Sequence, residues 1–149
     1  MVIKLNLNMD YKYNLQRFLD AQERTYNTAL SEIRAGRKQS HWIWYIFPQL
    51  KGLGQSYNSN YYGLDGVEEA KAYFAHPVLR QRLLEITEAL LQPRNMSATE
   101  ILGSIDAIKV QSCATLFWKA TNESIFSAVI NQFYGGNYDK HTLREASIN

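Results

Sequence analysis

The stretch Leu15–Ile33, "LQRFLDAQERTYNTALSEI", decides the fold class. Leu15, Phe18, Leu19, Gln22, Tyr26, Ala29, Leu30 and Ile33 recur at three- and four-residue steps. That is the spacing of one face of a helix. Gly36 follows, a residue type that commonly ends helices. The pattern predicts a long helix over 15–33. Gln22 and Tyr26 stand in the middle of its apolar arc, where a polar side chain needs a core hydrogen bond or a ligand.

The next segment, "RKQSHWIWYIFPQLKGLGQS" (Arg37 to Ser56), sets basic and polar residues against a run of large apolar ones. Residues 41–47 read either as a short helix capped by Ser40 or as a strand buried on both faces. A run of this length does not discriminate by period. Pro48 ends it in both cases. "QLKGLGQSYNSNYYG" (49–63) reads as a long loop, and loops of that length in small domains are often functional.

Further along, helical punctuation repeats. Asp65 with Glu68 resembles a capping box for a helix near 67–74. His76 is a helix-opening residue, with Pro77 in the first position of a helix to about Leu91, stopped by Pro93. Ser97 and Glu100 form a clear capping box for a short helix ending near Gly103. Helices follow over about 105–120 and 123–134, the latter stopped by Gly135-Gly136, and Asp139 is placed to cap a last one. Towards the N-terminus, "VIKLNLN" alternates apolar and polar residues, which reads as a short strand or arm within residues 1–12. The expectation is a mainly α, single-domain multi-helical bundle spanning 1–149.

Composition bounds the chemistry. The 149 residues suit one domain, and 46% hydrophobic content suits a packed core. A formal charge of +2 argues against a nucleic-acid binder that depends on bulk charge, so nucleic acid is an unlikely partner. The single Cys113 excludes an intrachain disulfide and fits a reducing compartment. With no leader pattern, and no apolar run near the ~20 residues of a membrane span, the expected setting is the cytoplasm. Metal-site patterns such as HExxH or paired CxxC do not occur, so no metal or cofactor is expected. "GLG" lacks the lysine of a phosphate-binding loop, and there is no G-x-S-x-G elbow. Cys113, flanked by apolar residues, reads as a small core residue.

On the helix over 105–120 the arc is set by Ile105, Ile108, Cys113, Leu116 and Phe117, with Lys109 and Ser112 inside it. A lysine is almost never fully buried without a partner. Lys109 therefore either reaches water with its stem on the core or meets an acid or an anionic ligand. Ser112 often bonds back to its own helix.

These residues carry a resemblance. "EIRAGRKQSHWIWYIFPQLKGLG", "EEAKAYFAHPVL", the D-x-x-K-x-x-S pattern at Asp106, Lys109 and Ser112, and "FYGGNYDKHTL" are similar to the domain-of-unknown-function family numbered 1810, from about Tyr13 to Leu143. The resemblance implies a small, stand-alone, predominantly helical protein of a mostly bacterial family without a settled activity. A fainter likeness, in helix order and polar-aromatic segments, runs to a helical family proposed to act on ADP-ribose and related conjugates. Where the family usually has Ser-Ser-Met before Thr-Leu-Phe, this chain has Ser112-Cys113-Ala114.

The expected function is a pocket for a small anionic, nucleotide-like ligand, related to ADP-ribose or NAD. Lys38 and Lys109 would meet phosphates or carboxylates. Trp42, Trp44 or Tyr62 would stack on a flat ring. Gln49, Gln22 and Ser56 would read polar edges, with Ser40, Ser112 and Tyr26 beside them. His41 is the candidate general acid or base. If turnover occurs, it would be metal-independent hydrolysis of a glycosidic or phosphate-ester bond. Two alternatives stand: a non-catalytic module for a nucleotide or single-stranded nucleic acid, and an interaction protein in which the aromatics are simply core.

Overall fold

The computed structural model describes residues 12–148. The strand or arm expected within 1–12 lies outside the described residues, apart from Lys12. The described residues are mainly helical: α1 (Gln16–Arg34), α2 (Ile43–Ile46), α3 (Tyr57–Tyr61), α4 (Val67–Ala75), α5 (Pro77–Leu91), α6 (Ala98–Leu102), α7 (Ser104–Thr121), α8 (Ser124–Phe133) and α9 (Lys140–Ile148). Among the described residues the only extended pairing is an isolated parallel bridge between Leu50 and Leu64. The described residues form an all-α multi-helical bundle.

The bundle is organised around α7. Helices α4, α6, α8 and α9 pack on it, while α5 joins α1, α4 and α8. Aromatic edges tie these layers together. Phe18 of α1 meets Tyr73 of α4 at 5.0 Å between ring centroids and 86° between planes. Tyr73 meets Phe117 of α7 at 5.4 Å, and Phe117 meets Phe126 of α8 at 5.6 Å. Edge-to-face and tilted rings place positive ring edges near negative faces, which adds to the gain from burying so much apolar area.

Many expected boundaries appear. Gly36 sits at a φ of +75° behind α1, in the left-handed region that favours glycine. Ser97 and Glu100 form both bonds of a capping box. His76 Nδ1 accepts the Val78 N–H beside Pro77 at the start of α5. Asp139 Oδ2 accepts from the Thr142 N–H at 2.8 Å, capping α9. Cys113 is buried in α7, and burial pushes its thiol up.

Four local readings change. Residues 41–47 contain the single helical turn α2, but Ser40 does not cap it, because its side chain is committed to Glu32. The 49–63 loop contains α3, capped by Ser56, whose Oγ accepts the Ser59 N–H at 3.1 Å. The Asp65–Glu68 box does not form. Glu69, one position on, accepts the Asp65 N–H at 2.8 Å and pairs with Arg17 at 2.8 Å, while Glu68 faces solvent. The fourth change matters most for function. Ile105 and Ile108 are not in the core but 69% and 61% exposed. The buried stripe of α7 begins instead at Ala107 and Val110 and then broadens, with Ser112 through Phe117 buried in succession. The C-terminal half of α7 is enclosed by its neighbours, whereas its first turns present an apolar strip outward.

Candidate functional site

The loop between α2 and α4 is fixed at both ends. The Lys51 N–H donates to the Leu64 carbonyl at 2.7 Å, and the Leu64 N–H donates to the Gln49 carbonyl at 2.9 Å. Between these ends the chain folds down onto α3. A methyl group at Gly54 would lie 2.4 Å from Ser59 Oγ, so only glycine permits the approach. The result is a wall carrying Gln49, Leu53, Ser56 and Ser59.

The first turns of α7 form the opposite wall, with Ile105, Ile108, Lys109 and Ser112, and Asp139 also lines the space. The cleft between the walls has a volume of about 410 Å³. Behind it lies a crevice of about 10 Å³ lined by Ile43, Trp44, Phe47 and Tyr62, about the room of one water. Gln49, Ser59 and Lys109 border both spaces.

Lys109 stands at this junction. Its side chain is 19% exposed, with Nζ 5.7 Å from the centre of the Trp44 ring and 3.4 Å from Asp106 Oδ1. The other Asp106 oxygen lies 2.8 Å from Lys38 Nζ. Lys38 is 7% exposed, donates to the Ser40 carbonyl and lies 4.8 Å over the Trp42 ring. Two ammonium groups therefore share one carboxylate. The enclosed Lys38 takes the shorter contact, and Lys109, with the longer one, borders the cleft that Asp139 also lines.

Glu32 organises the segment leading into this arrangement. Its carboxylate accepts from the Gln39 and Ser40 N–H groups, the Ser40 hydroxyl and the Trp42 indole N–H. Burial alone would raise its pKa, but the four donors outweigh burial and hold the group at about 2. This clamp shapes the Lys38 turn.

The structure thus brings Trp44, Gln49, Ser56, Tyr62, Lys109 and Ser112 together around adjoining spaces. Ser112 also donates to the Ile108 carbonyl of its own helix. Lys38, Ser40 and Trp42 lie behind the wall, supporting it through Asp106 and Glu32. His41 is exposed and outside the lining of both spaces. Gln22 is buried elsewhere, donating to the Tyr45 carbonyl at 2.7 Å and the Tyr73 hydroxyl at 2.9 Å, and accepting from Arg82. Tyr26 donates to Glu85, and burial followed by that carboxylate pushes its phenol up. Both are satisfied core hydrogen-bonders, away from the cleft.

Sequence reasoning did not place Asp106, Leu53 or Asp139 at the site, and it assigned Ile105 and Ile108 to the core. The signal for Asp106 was its place three residues before Lys109, one helical turn away. Among the described residues, no three His, Cys, Asp or Glu side chains are grouped to hold a metal ion. No helix among them is long and apolar enough to cross a membrane.

No curated protein matches the chain. Its fold is similar to the crystal structure, at 1.38 Å, of the conserved hypothetical protein Rv1873 from Mycobacterium tuberculosis. The TM-score is 0.91 at 40% identity, over 93% of this chain and 99% of that one. A family model, a protein of unknown function, matches residues 12–146. With the match covering nearly all of its length, the chain belongs to that family, DUF1810.

Proposed function

We propose that the protein binds a small anionic, nucleotide-like molecule in the cleft between the glycine-rich loop and the start of α7. The observation that carries this reading is the sharing of Asp106 between two lysines, which leaves Lys109 on the cleft wall with only a 3.4 Å contact to that carboxylate. A half-enclosed ammonium beside an aromatic ring is well placed to attract a phosphate or carboxylate, because partial exclusion of water strengthens charge pairing. The volume of about 410 Å³ falls in the range of small-molecule sites. Gln49, Ser56 and Ser59 offer amide and hydroxyl groups for the ligand's polar edges, and Asp139 can accept from hydroxyl donors.

Turnover is a second arm of the same reading, as metal-independent hydrolysis of a glycosidic or phosphate-ester bond. Asp139, which lines the cleft and caps α9 through Oδ2, would supply its remaining carboxylate oxygen as the general base. A thermal-shift panel of NAD, ADP-ribose, mononucleotides and sugar phosphates tests binding, and product analysis of each hit tests turnover. A ligand at 100 times its Kd adds about 2.7 kcal/mol of stability. The expected result is a rise in melting temperature for at least one compound, absent in Lys109→Met. Flat curves across the panel, or equal shifts in both proteins, would overturn the reading. A steep loss of binding with salt for oligonucleotides alone would favour a nucleic-acid module instead.

A further inference from the structure

Ile105 and Ile108 ask for an occupant. They are 69% and 61% exposed, yet they lie one helical turn apart on the cleft wall, with Lys109 beside them. Leu53 faces the same space from the loop, its body packed on the core. The cleft therefore has two chemistries: aliphatic walls from α7 and the loop, and a cation with amide and hydroxyl groups at its inner end. A wholly polar anion, such as inorganic phosphate or a bare sugar phosphate, would satisfy the second and leave the first in water.

We infer that the ligand is an anion joined to an aromatic ring, with the ring held between Ile105, Ile108 and Leu53 and the negative group directed at Lys109. This inference rests on the reading of the cleft as an anion site and narrows its ligand class. Two β-branched side chains spaced i and i+3 give a broad, even apolar surface, because residues at that spacing are neighbours on a helix. A flat ring covers it with little loss of conformational freedom, since few bonds are frozen. Charge fixes the orientation: among the described residues that line the cleft, Lys109 is the one basic side chain, so the negative group is directed at it.

The test compares methyl phosphate with phenyl phosphate by calorimetry or ligand-observed NMR on the whole chain. The two carry the same anionic group and differ in the ring. The wild type should bind phenyl phosphate about tenfold more tightly, the order expected from burying a ring's apolar surface. Ile108→Ser and Ile105→Ser, both at exposed positions, should retain folding and bring the two affinities to within about twofold. Equal affinities in the wild type would overturn the inference while leaving Lys109 as an anion site. A ring preference that survives both serine variants would also overturn it, since the ring would then sit elsewhere. If neither phosphate binds, the anion-site reading fails and the inference falls with it. Sedimentation velocity gives the remaining outcome: self-association abolished by Ile108→Ser would make the strip a contact between copies of the chain and overturn the ligand assignment.

Discussion

Lys38 and Asp106 lie 2.8 Å apart, joining the turn after α1 to the first turn of α7. Little of the pair is exposed, and the Ser40 carbonyl is the other oxygen on the ammonium. Removing one partner of a pair this enclosed leaves a charge short of compensation. Asp106→Asn should therefore destabilise the protein by about 3 kcal/mol, read as a lower urea midpoint with an unchanged slope. Adding Lys38→Met should recover part of the loss, because it removes the stranded charge and keeps an unbranched stem over Trp42. A double variant no better than the single one would show that the stranded Lys38 charge is not what destabilises Asp106→Asn.

Lys109 is a different case, although it shares the same carboxylate. Its distance to Asp106 is longer, and more of it reaches solvent. Such pairs contribute little to stability. Lys109→Met keeps the stem beside Trp44 and leaves Asp106 paired with Lys38. The expected outcome is an unfolding free energy changed by less than about 1 kcal/mol, with ligand binding lost. A loss of several kcal/mol would make Lys109 a structural residue.

The Glu32 clamp predicts a pH signature. Its carboxyl, held at about 2 in the folded protein, has an ordinary value of 4.5. A depressed folded-state pKa contributes stability above the unfolded value, and that contribution is lost as pH falls through the folded one. Glu32→Gln should be less stable than the wild type by about 2 kcal/mol near neutrality, the scale of hydrogen bonds to a charged acceptor. The gap should narrow between pH 4.5 and 2, and equilibrium denaturation of both proteins across that window reads it. A gap independent of pH would mean that shape, not charge, holds the turn.

Much of this fold is legible in the chain because local chemistry and tertiary packing agree. The stripe of α1, the Ser97 capping box and the His76-Pro77 start all rest on short-range rules that the surroundings leave intact. The site is less legible for a physical reason. Periodicity assigns an isoleucine to the core by default, and nothing local distinguishes Ile105 and Ile108 from Val110. What separates them is which neighbours cover α7, a property of the whole bundle. Gln22 shows the converse: its place in the apolar arc is right, but its partners Tyr45, Tyr73 and Arg82 come from three distant segments. Lys109 stands out in the sequence as an odd cation, whereas the sharing of Asp106 with Lys38 needs the turn built by Glu32.

The glycine-rich loop offers a test of cleft shape independent of charge. At Gly54 a methyl group would lie 2.4 Å from Ser59 Oγ and 2.7 Å from Ser59 Cβ. At Gly52 nothing lies within 4 Å, but φ is +97°, so the obstacle there is the backbone alone. Gly54→Ala should force the loop off α3, costing about 1–3 kcal/mol as overpacking does. It should also weaken ligand binding, because Gln49, Leu53 and Ser56 ride on the displaced wall. Ser59→Gly removes both offending atoms, so adding it to Gly54→Ala should restore much of the stability and the affinity. The same Ser59→Gly should do nothing for Gly52→Ala, whose strain is torsional. Measured side by side, a rescue confined to position 54 ties cleft geometry to the Gly54–Ser59 contact, and a rescue at neither position would disprove that dependence.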